Sequence, residues 1–180
     1  MVPTMSEPLP SRRLLGDAVL ADPLVRELVE ARLVCVLATF DRAGPIHAVP
    51  LWYAPSDGCV LLATESRSRK VRNVEADPRA TLVVHDSRAG YEVCGVSMAG
   101  RVEIVRGAEA RRLIDRVHHR YVDAAVLTDE SIATLLASDD VALRFVPETA
   151  LTWDERGSEA NAALRASGGA LPLVPTEPRP

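Results

Sequence analysis

The stretch 33–64, LVCVLATF-DRAG-PIHAVPLWYA-PSDG-CVLLAT, limits the possible folds more than any other part of this chain. Three runs of strand length are joined by short turns rich in Asp, Gly and Pro. Parallel neighbours need a crossover of a dozen or more residues, so consecutive runs joined this tightly pair antiparallel. The first run, 33–40, is continuously apolar and reads as a strand buried on both faces. The second, 45–54, carries Pro50, which cannot donate to a ladder and points to an edge or a bulge. The third, 59–64, follows the Asp-Gly turn directly.

The rest of the chain extends this sheet and adds helices. Residues 20–32 read as a helix, with Asp22 as N-cap, Pro23 at the first helical position, and Leu24, Leu28 and Ala31 on the buried face. Residues 68–76 form a shorter one: Ser68 caps it, Val71 and Val74 face inward, and Asp77-Pro78 ends it. Two further strands follow at 79–86 and 93–105, the second bent at Gly95 or Gly100. The spacing of Leu113, Ile114, Val117 and Tyr121 predicts a helix over 108–122, with a shorter one over 129–137. A closing strand over 141–153 is interrupted by Pro147. This order is not βαβαβ, and there is no G-x-G-x-x-G or G-x-x-x-x-G-K-[ST], so a doubly wound nucleotide fold is disfavoured. It predicts an α+β fold: a six-stranded antiparallel barrel with helices at its rim. Proline-rich ends give a flexible arm over 1–19 and a disordered tail over 158–180, leaving 20–157 as the folded domain.

Composition narrows the function classes. A length of 180 residues fits one domain with a real core. No run reaches the ~18 apolar residues of a membrane span. The N-terminal sequence lacks a basic segment followed by an apolar one, and Cys35, Cys59 and Cys94 form no C-x-x-C. Both features predict a reducing, cytoplasmic setting. A formal net charge of -4 and an aromatic content of 4% weigh against nucleic acid as a partner.

Against that acidity, TESRSRKVRN (64–73) gathers Arg67, Arg69, Lys70 and Arg72 at the start of the second helix. Two readings stand. The cations can form a solvated face paired with Glu65, Glu75 and Asp77. Alternatively they build an anion site, because a helix N-terminus presents free N–H groups and a partial positive charge that phosphate satisfies. Ser68 would then add a hydroxyl, and Lys70 and Arg69 full charges.

The segment LATFDRAGPIHAVPLWYAPSDGCVLLATESRSRKVRNVEADPRATLVV, with GVSMAGRVEIV and TWDERG further on, resembles the split-barrel flavin and deazaflavin oxidoreductases, the superfamily that includes pyridoxamine 5'-phosphate oxidase. The resemblance covers about residues 20–157, and the later blocks look like the deazaflavin (F420) branch. It implies a homodimer with the cofactor in a groove at the interface. It implies that Pro50, Leu51 and Trp52 line the ring system, and that Thr64, Ser68, Arg69, Lys70 and Asn73 hold the ribityl phosphate. Trp153 would reach the cofactor from the other subunit.

The activity expected from the resemblance is hydride transfer from reduced F420 to an unsaturated small molecule. The alternatives are an FMN protein of the pyridoxamine phosphate oxidase or flavin reductase type, and a non-enzymatic carrier of flavin or haem. No Ser-His-Asp set or carboxylate pair stands out, which suits an enzyme whose cofactor carries the redox chemistry. No catalytic acid or base is assigned. His47 lies in the ring-facing strand and reads either as a proton donor or as a satisfied strand histidine. His118 and His119 are adjacent helix positions about 100° apart, so they cannot both face one metal ion. Cys35 and Cys59 read as small core residues, Cys94 sits where it could be exposed, and Tyr91 falls in a loop over the site.

Overall fold

The computed structural model describes residues 11–42, 44–87 and 93–168. Eight strands make one antiparallel sheet: β1 (Arg12–Leu15), β2 (Cys35–Thr39), β3 (His47–Leu51), β4 (Tyr53–Ser56), β5 (Cys59–Thr64), β6 (Arg79–Ser87), β7 (Val93–Val105) and β8 (Val141–Asp154). The helices are α1 (Ala18–Ala21), α2 (Pro23–Glu30), α3 (Arg69–Ala76), α4 (Gly107–Tyr121), α5 (Glu130–Leu136) and α6 (Glu159–Ser167), with a 3-10 turn at Val126–Thr128.

The strand order is β3-β2-β6-β7-β8-β5-β4, and β1 pairs with the C-terminal half of β8. The two ends of that order, β3 and β4, are consecutive in the chain with only Trp52 between them. The sheet therefore curls until its edges meet at one residue, which is why the run expected as a single strand over 45–54 divides at Trp52. The β4–β5 turn is closed by Gly58 at φ 68, a left-handed conformation that costs glycine little. At the other bend, β7 shifts register between Ala99 and Gly100, and Gly100 lies opposite Pro147. A Cβ on Gly100 would sit 2.1 Å from the Val146 carbonyl oxygen, so only glycine lets β8 run on past its proline. The expected bend at Gly100 is present, and Pro147 does not interrupt the closing strand.

The barrel interior is filled from both faces of the curl by Leu37, Leu62, Leu82, Val84, Val96, Met98, Leu143 and Phe145, with Leu28 of α2 and Val71 of α3 in the same cluster. A second cluster packs Ala110, Ile114 and Val117 of α4 on Leu61, Ala63 and Ala142. Strand β5 is thus buried on both faces, whereas β2 is not. Its burial alternates, and Val36 and Ala38 are only half-buried, contrary to the reading of 33–40 as doubly buried. They belong to an outward face that, among the described residues, no helix covers: Pro50, Val36, Val83, Ser97 and Leu151 form one cross-strand row, and Ala48, Ala38, Thr81, Ala99 and Thr149 the next.

Several other expectations shift. The strand count is eight rather than six, because β3 and β4 separate and β1 joins the sheet. Strand β1 lies within the segment expected as an arm, held by Arg12, whose guanidinium pairs with the buried Asp22 at 2.8 Å. Helix α6 lies within the segment expected as a tail, with Ser158 accepting from the Asn161 N–H, Asn161 buried, and Gly168 closing the helix at φ 64. Asp22 caps α2 as expected, accepting from Leu24 and Val25 N–H. The fully buried face of that helix is Val25, Leu28 and Val29, with Leu24 and Ala31 half-buried. Among the described residues no helix is long and apolar enough to cross a membrane.

Candidate functional site

A groove of about 610 Å³ opens where the barrel seam, the end of β5, the start of α3 and the side of α4 converge. Pro50, Leu51 and Trp52 form its seam wall. Ala63 and Thr64 end β5 beneath them, and the turn Glu65–Ser68 leads into α3 and Lys70. Val117 and His118 of α4 and the loop residue Asp139 close the far side. A volume of this size is ordinary for a small-molecule or cofactor site.

Trp52 is stacked on Tyr121 of α4, with ring centroids 5.0 Å apart and planes 4° from parallel. Trp52 is nevertheless 38% exposed, so this aromatic pair is at the surface of the groove rather than in the core. The Tyr121 hydroxyl donates to the Leu33 carbonyl. Burial pushes the Tyr121 phenol pKa up, so the ring stays neutral at ordinary pH.

Ser68 is the N-cap of α3, but its hydroxyl makes no cap hydrogen bond. It accepts instead from the Thr64 hydroxyl at 3.4 Å. The first N–H groups of the helix are therefore left without the side-chain acceptor that a capping serine usually supplies. Lys70 is half-buried in the groove, and among the described residues it makes no hydrogen bond or ion pair. Burial lowers its pKa, and the charges of Asp139 and Glu65 offset part of that shift. The basic stretch is thus not simply a solvated face, since this cation is drawn down into a cavity.

Not every residue expected at the site is there. Pro50, Leu51, Trp52, Thr64, Ser68 and Lys70 are brought together; Arg69, Asn73 and Trp153 are not. Arg69 is one helical step of about 100° from Lys70 and turns to the other side of α3. There its Nε donates to Asp41 at 2.5 Å, and it lines a separate cavity of about 400 Å³ with Arg42 and Arg72. Asn73 is buried and donates to the Thr39 hydroxyl at 3.0 Å, tying α3 to β2. Trp153 lies on the outward face of the sheet against Gly95, where a Cβ would fall 2.2 Å from its ring.

The remaining candidates sort similarly. His47 is half-buried in β3 and does not line the groove. His118 and His119 diverge: His118 Nε2 lies 2.8 Å from Asp139 Oδ2, and His119 Nδ1 lies 2.7 Å from the Asp115 carbonyl oxygen. All three cysteines are buried, including Cys94, and burial raises the pKa of each, Cys35 to about 12. Tyr91 lies outside the described residues. Sequence reasoning missed His118 and Asp139 as groove residues, and Tyr121 as the ring stacked behind Trp52. Tyr121 follows Val117 at i+4, a spacing that reads as core, and Asp139 sits in a loop with no local signal.

A model of the family described as pyridoxamine 5'-phosphate oxidase matches residues 21–154. The chain belongs to that family. Among solved structures, it is similar to a conserved hypothetical protein from Mycobacterium tuberculosis, at 25% identity and a TM-score of 0.62, over 92% of this chain and 94% of that one. The heme storage protein HutZ from Vibrio cholerae shares the fold at 17% identity and a TM-score of 0.57, over 74% and 94%. So does an F420 reductase, at 21% identity and a TM-score of 0.55, over 69% and 94%. No curated protein matches the sequence. Membership of this family makes the chain a split barrel of the flavin-binding type.

Proposed function

We propose that this protein is an oxidoreductase that holds a flavin-type cofactor in the groove, with F420 as the first reading. Reduced F420 would supply the hydride for an unsaturated small molecule. The observation that carries the proposal is Lys70: a cation half-buried in a cavity, unpaired, next to a helix start whose capping hydroxyl is not used on its own backbone. Phosphate meets each of those needs. Thr64 and Ser68 add hydroxyls beside it, and Pro50, Leu51 and Trp52 offer an apolar wall to a planar ring system. The chain's own part is then to bind, orient and shield, with the chemistry residing in the ligand.

The protein would act as a homodimer through the uncovered sheet face. That face is built largely of Ala, Val, Thr and Pro, includes Leu151 at 48% exposure, and carries Trp153 at its edge. A small-residue surface of this kind packs closely against a copy of itself, and pairing would bring Trp153 toward the partner's groove. An FMN protein is the alternative, since the Thr64–Lys70 anchor suits any ribityl phosphate.

Titration of the purified protein with F420 and FMN, followed by visible absorption, tests the reading. Tighter binding of F420 and a scattering mass of about twice the 19.5 kDa chain are expected. Tighter FMN binding would transfer the proposal to the flavin alternative. A Soret band after haem addition, with neither F420 nor FMN bound, would replace it with a haem carrier.

A further inference from the structure

The turn that leads from β5 into α3 is fastened to the barrel by two sets of side-chain bonds, a long one between the Thr64 and Ser68 hydroxyls at 3.4 Å and a shorter pair at Ser66. Residues 65–68 form a turn in which the Ser68 N–H donates to the Glu65 carbonyl, and the helix that follows adds Arg72 N–H to Ser68 O and Arg72 Nη1 to Arg67 O. These bonds are internal to the turn and α3. Among the described residues, the shortest bonds linking 65–68 to the rest of the protein are made by Asp140. Its Oδ1 accepts from the Ser66 N–H at 2.5 Å, and its Oδ2 accepts from the Ser66 hydroxyl at 2.7 Å.

The register of the sheet fixes this placement. Thr64 pairs with Val141 at the end of the β5–β8 ladder, and the Asp140 N–H continues the ladder by donating to the Thr64 carbonyl at 3.2 Å. The carboxylate of Asp140 is thereby held across from the first residues beyond β5. Its neighbour turns the other way: Asp139 faces His118 and the groove. Two consecutive aspartates thus divide two tasks, one toward α4 and one toward the anchor turn.

We propose that Asp140 is a positioning residue for phosphate capture. By gripping both donors of Ser66 it sets the turn that aims Ser68, the α3 N–H groups and Lys70 into the groove. Asp140 is itself exposed and does not line the groove, so it acts through Ser66 and not on the ligand. A charged acceptor taking two hydrogen bonds holds a turn more firmly than a neutral one, and the same bonds keep the Asp140 pKa below the ordinary carboxylate value. The inference rests on the groove being the cofactor site.

The test compares phosphate-bearing probes with their phosphate-free cores: FMN against riboflavin, and F420 against its deazaflavin chromophore without phosphate. Asp140→Ala should weaken the phosphate-bearing probe about tenfold and leave the core unchanged. Ser66→Ala should give part of that loss, and the double variant should be no worse than Asp140→Ala alone. Asp140→Asn, which keeps the shape and one acceptor, should fall between wild type and Asp140→Ala and guards against a variant that fails to fold. Equal losses for probe and core, or additive losses in the double variant, would overturn the proposal. Lys70→Ala separates the two levels. If it weakens phosphate binding while Asp140→Ala does not, the positioning role fails alone; if it changes nothing, the groove reading fails with it.

Discussion

The C-terminus of α2 and the N-terminus of α3 present the same physical problem, a set of backbone groups with no partner inside the helix. The chain brings side-chain donors to one and leaves the other open. At the end of α2, the Tyr53 hydroxyl shares its one proton between the carbonyls of Leu28 and Ala31, at 2.7 and 2.9 Å. Arg120 Nη2 shares its two protons among those of Val29, Glu30 and Ala31, at 2.9, 2.8 and 2.5 Å. Each of the last carbonyls has a side-chain donor within reach, and the guanidinium also lies over the Tyr53 ring at 5.2 Å. At the start of α3 the capping hydroxyl turns away, and among the described residues the nearby ammonium makes no ion pair, with Asp139 and Glu65 acting on it only from beyond contact. A finished helix end holds the fold together, and an unfinished one has capacity left for a ligand.

The contrast is broken most severely at the finished end. Arg120→Ala takes the side-chain donor from the Val29 and Glu30 carbonyls and the guanidinium from the Tyr53 ring, and should cost about 1–3 kcal/mol of stability, read as a lower denaturation midpoint. Cofactor affinity of the molecules that remain folded should be unchanged. If the main loss is instead in binding, the two helix ends are not functionally separate.

The unfinished end should behave in the opposite way. Lys70→Ala is expected to lose about 1.5–3 kcal/mol of cofactor affinity, the range for a hydrogen bond to a charged group, with little change in stability. Lys70→Met sharpens the point. A lysine whose folded pKa is lowered by burial makes the fold less stable below that pKa, and the deficit disappears as pH rises toward the ordinary value of 10.5. Lys70→Met should therefore be more stable than wild type near neutrality, and the gap should close at alkaline pH in denaturation measured across that range. A wild type already as stable at pH 7 would mean that the ammonium is not strained by its site.

The smallest effect concerns the cations beyond the groove. F420 extends past its phosphate into an anionic tail, and Arg67 and Arg72 exceed the needs of a single phosphate. Each exposed pair is worth about 0.2–1 kcal/mol and is screened by salt. The preference for F420 over FMN should accordingly narrow as ionic strength rises in parallel titrations. A preference indifferent to salt would remove these arginines from recognition.

Much of this was legible in the sequence because it is local. Turn residues, strand runs, the Asp22 cap and the Ser68–Lys70 helix start all depend on neighbours a few positions apart. Elements secured from a distance were less so. Strand β1 depends on an ion pair ten residues on and a ladder to β8, and the break at Trp52 depends on the closure of the whole sheet. Arg69 and Asn73 lie away from the groove for a simpler reason. Residues crowded along a helical stretch fan around its axis, so a cluster in sequence spreads over several faces in space. For α6 the signal was present in Ser158 and Gly168, but it was outweighed by the prolines that follow.

The positions of the two tryptophans give this molecule a pair of built-in optical probes. Trp52 lies stacked at the groove, while Trp153 lies against Gly95 on the outward face of the sheet. Their emission would therefore report two separate events from two separate surfaces. On the proposed reading, ligand entry would perturb the indole beside Tyr121, and self-association would dry the one beside Gly95. With Trp153 replaced by phenylalanine the protein would signal only occupancy, and with Trp52 replaced only assembly, so the order of the two events could be timed in a single unlabelled chain.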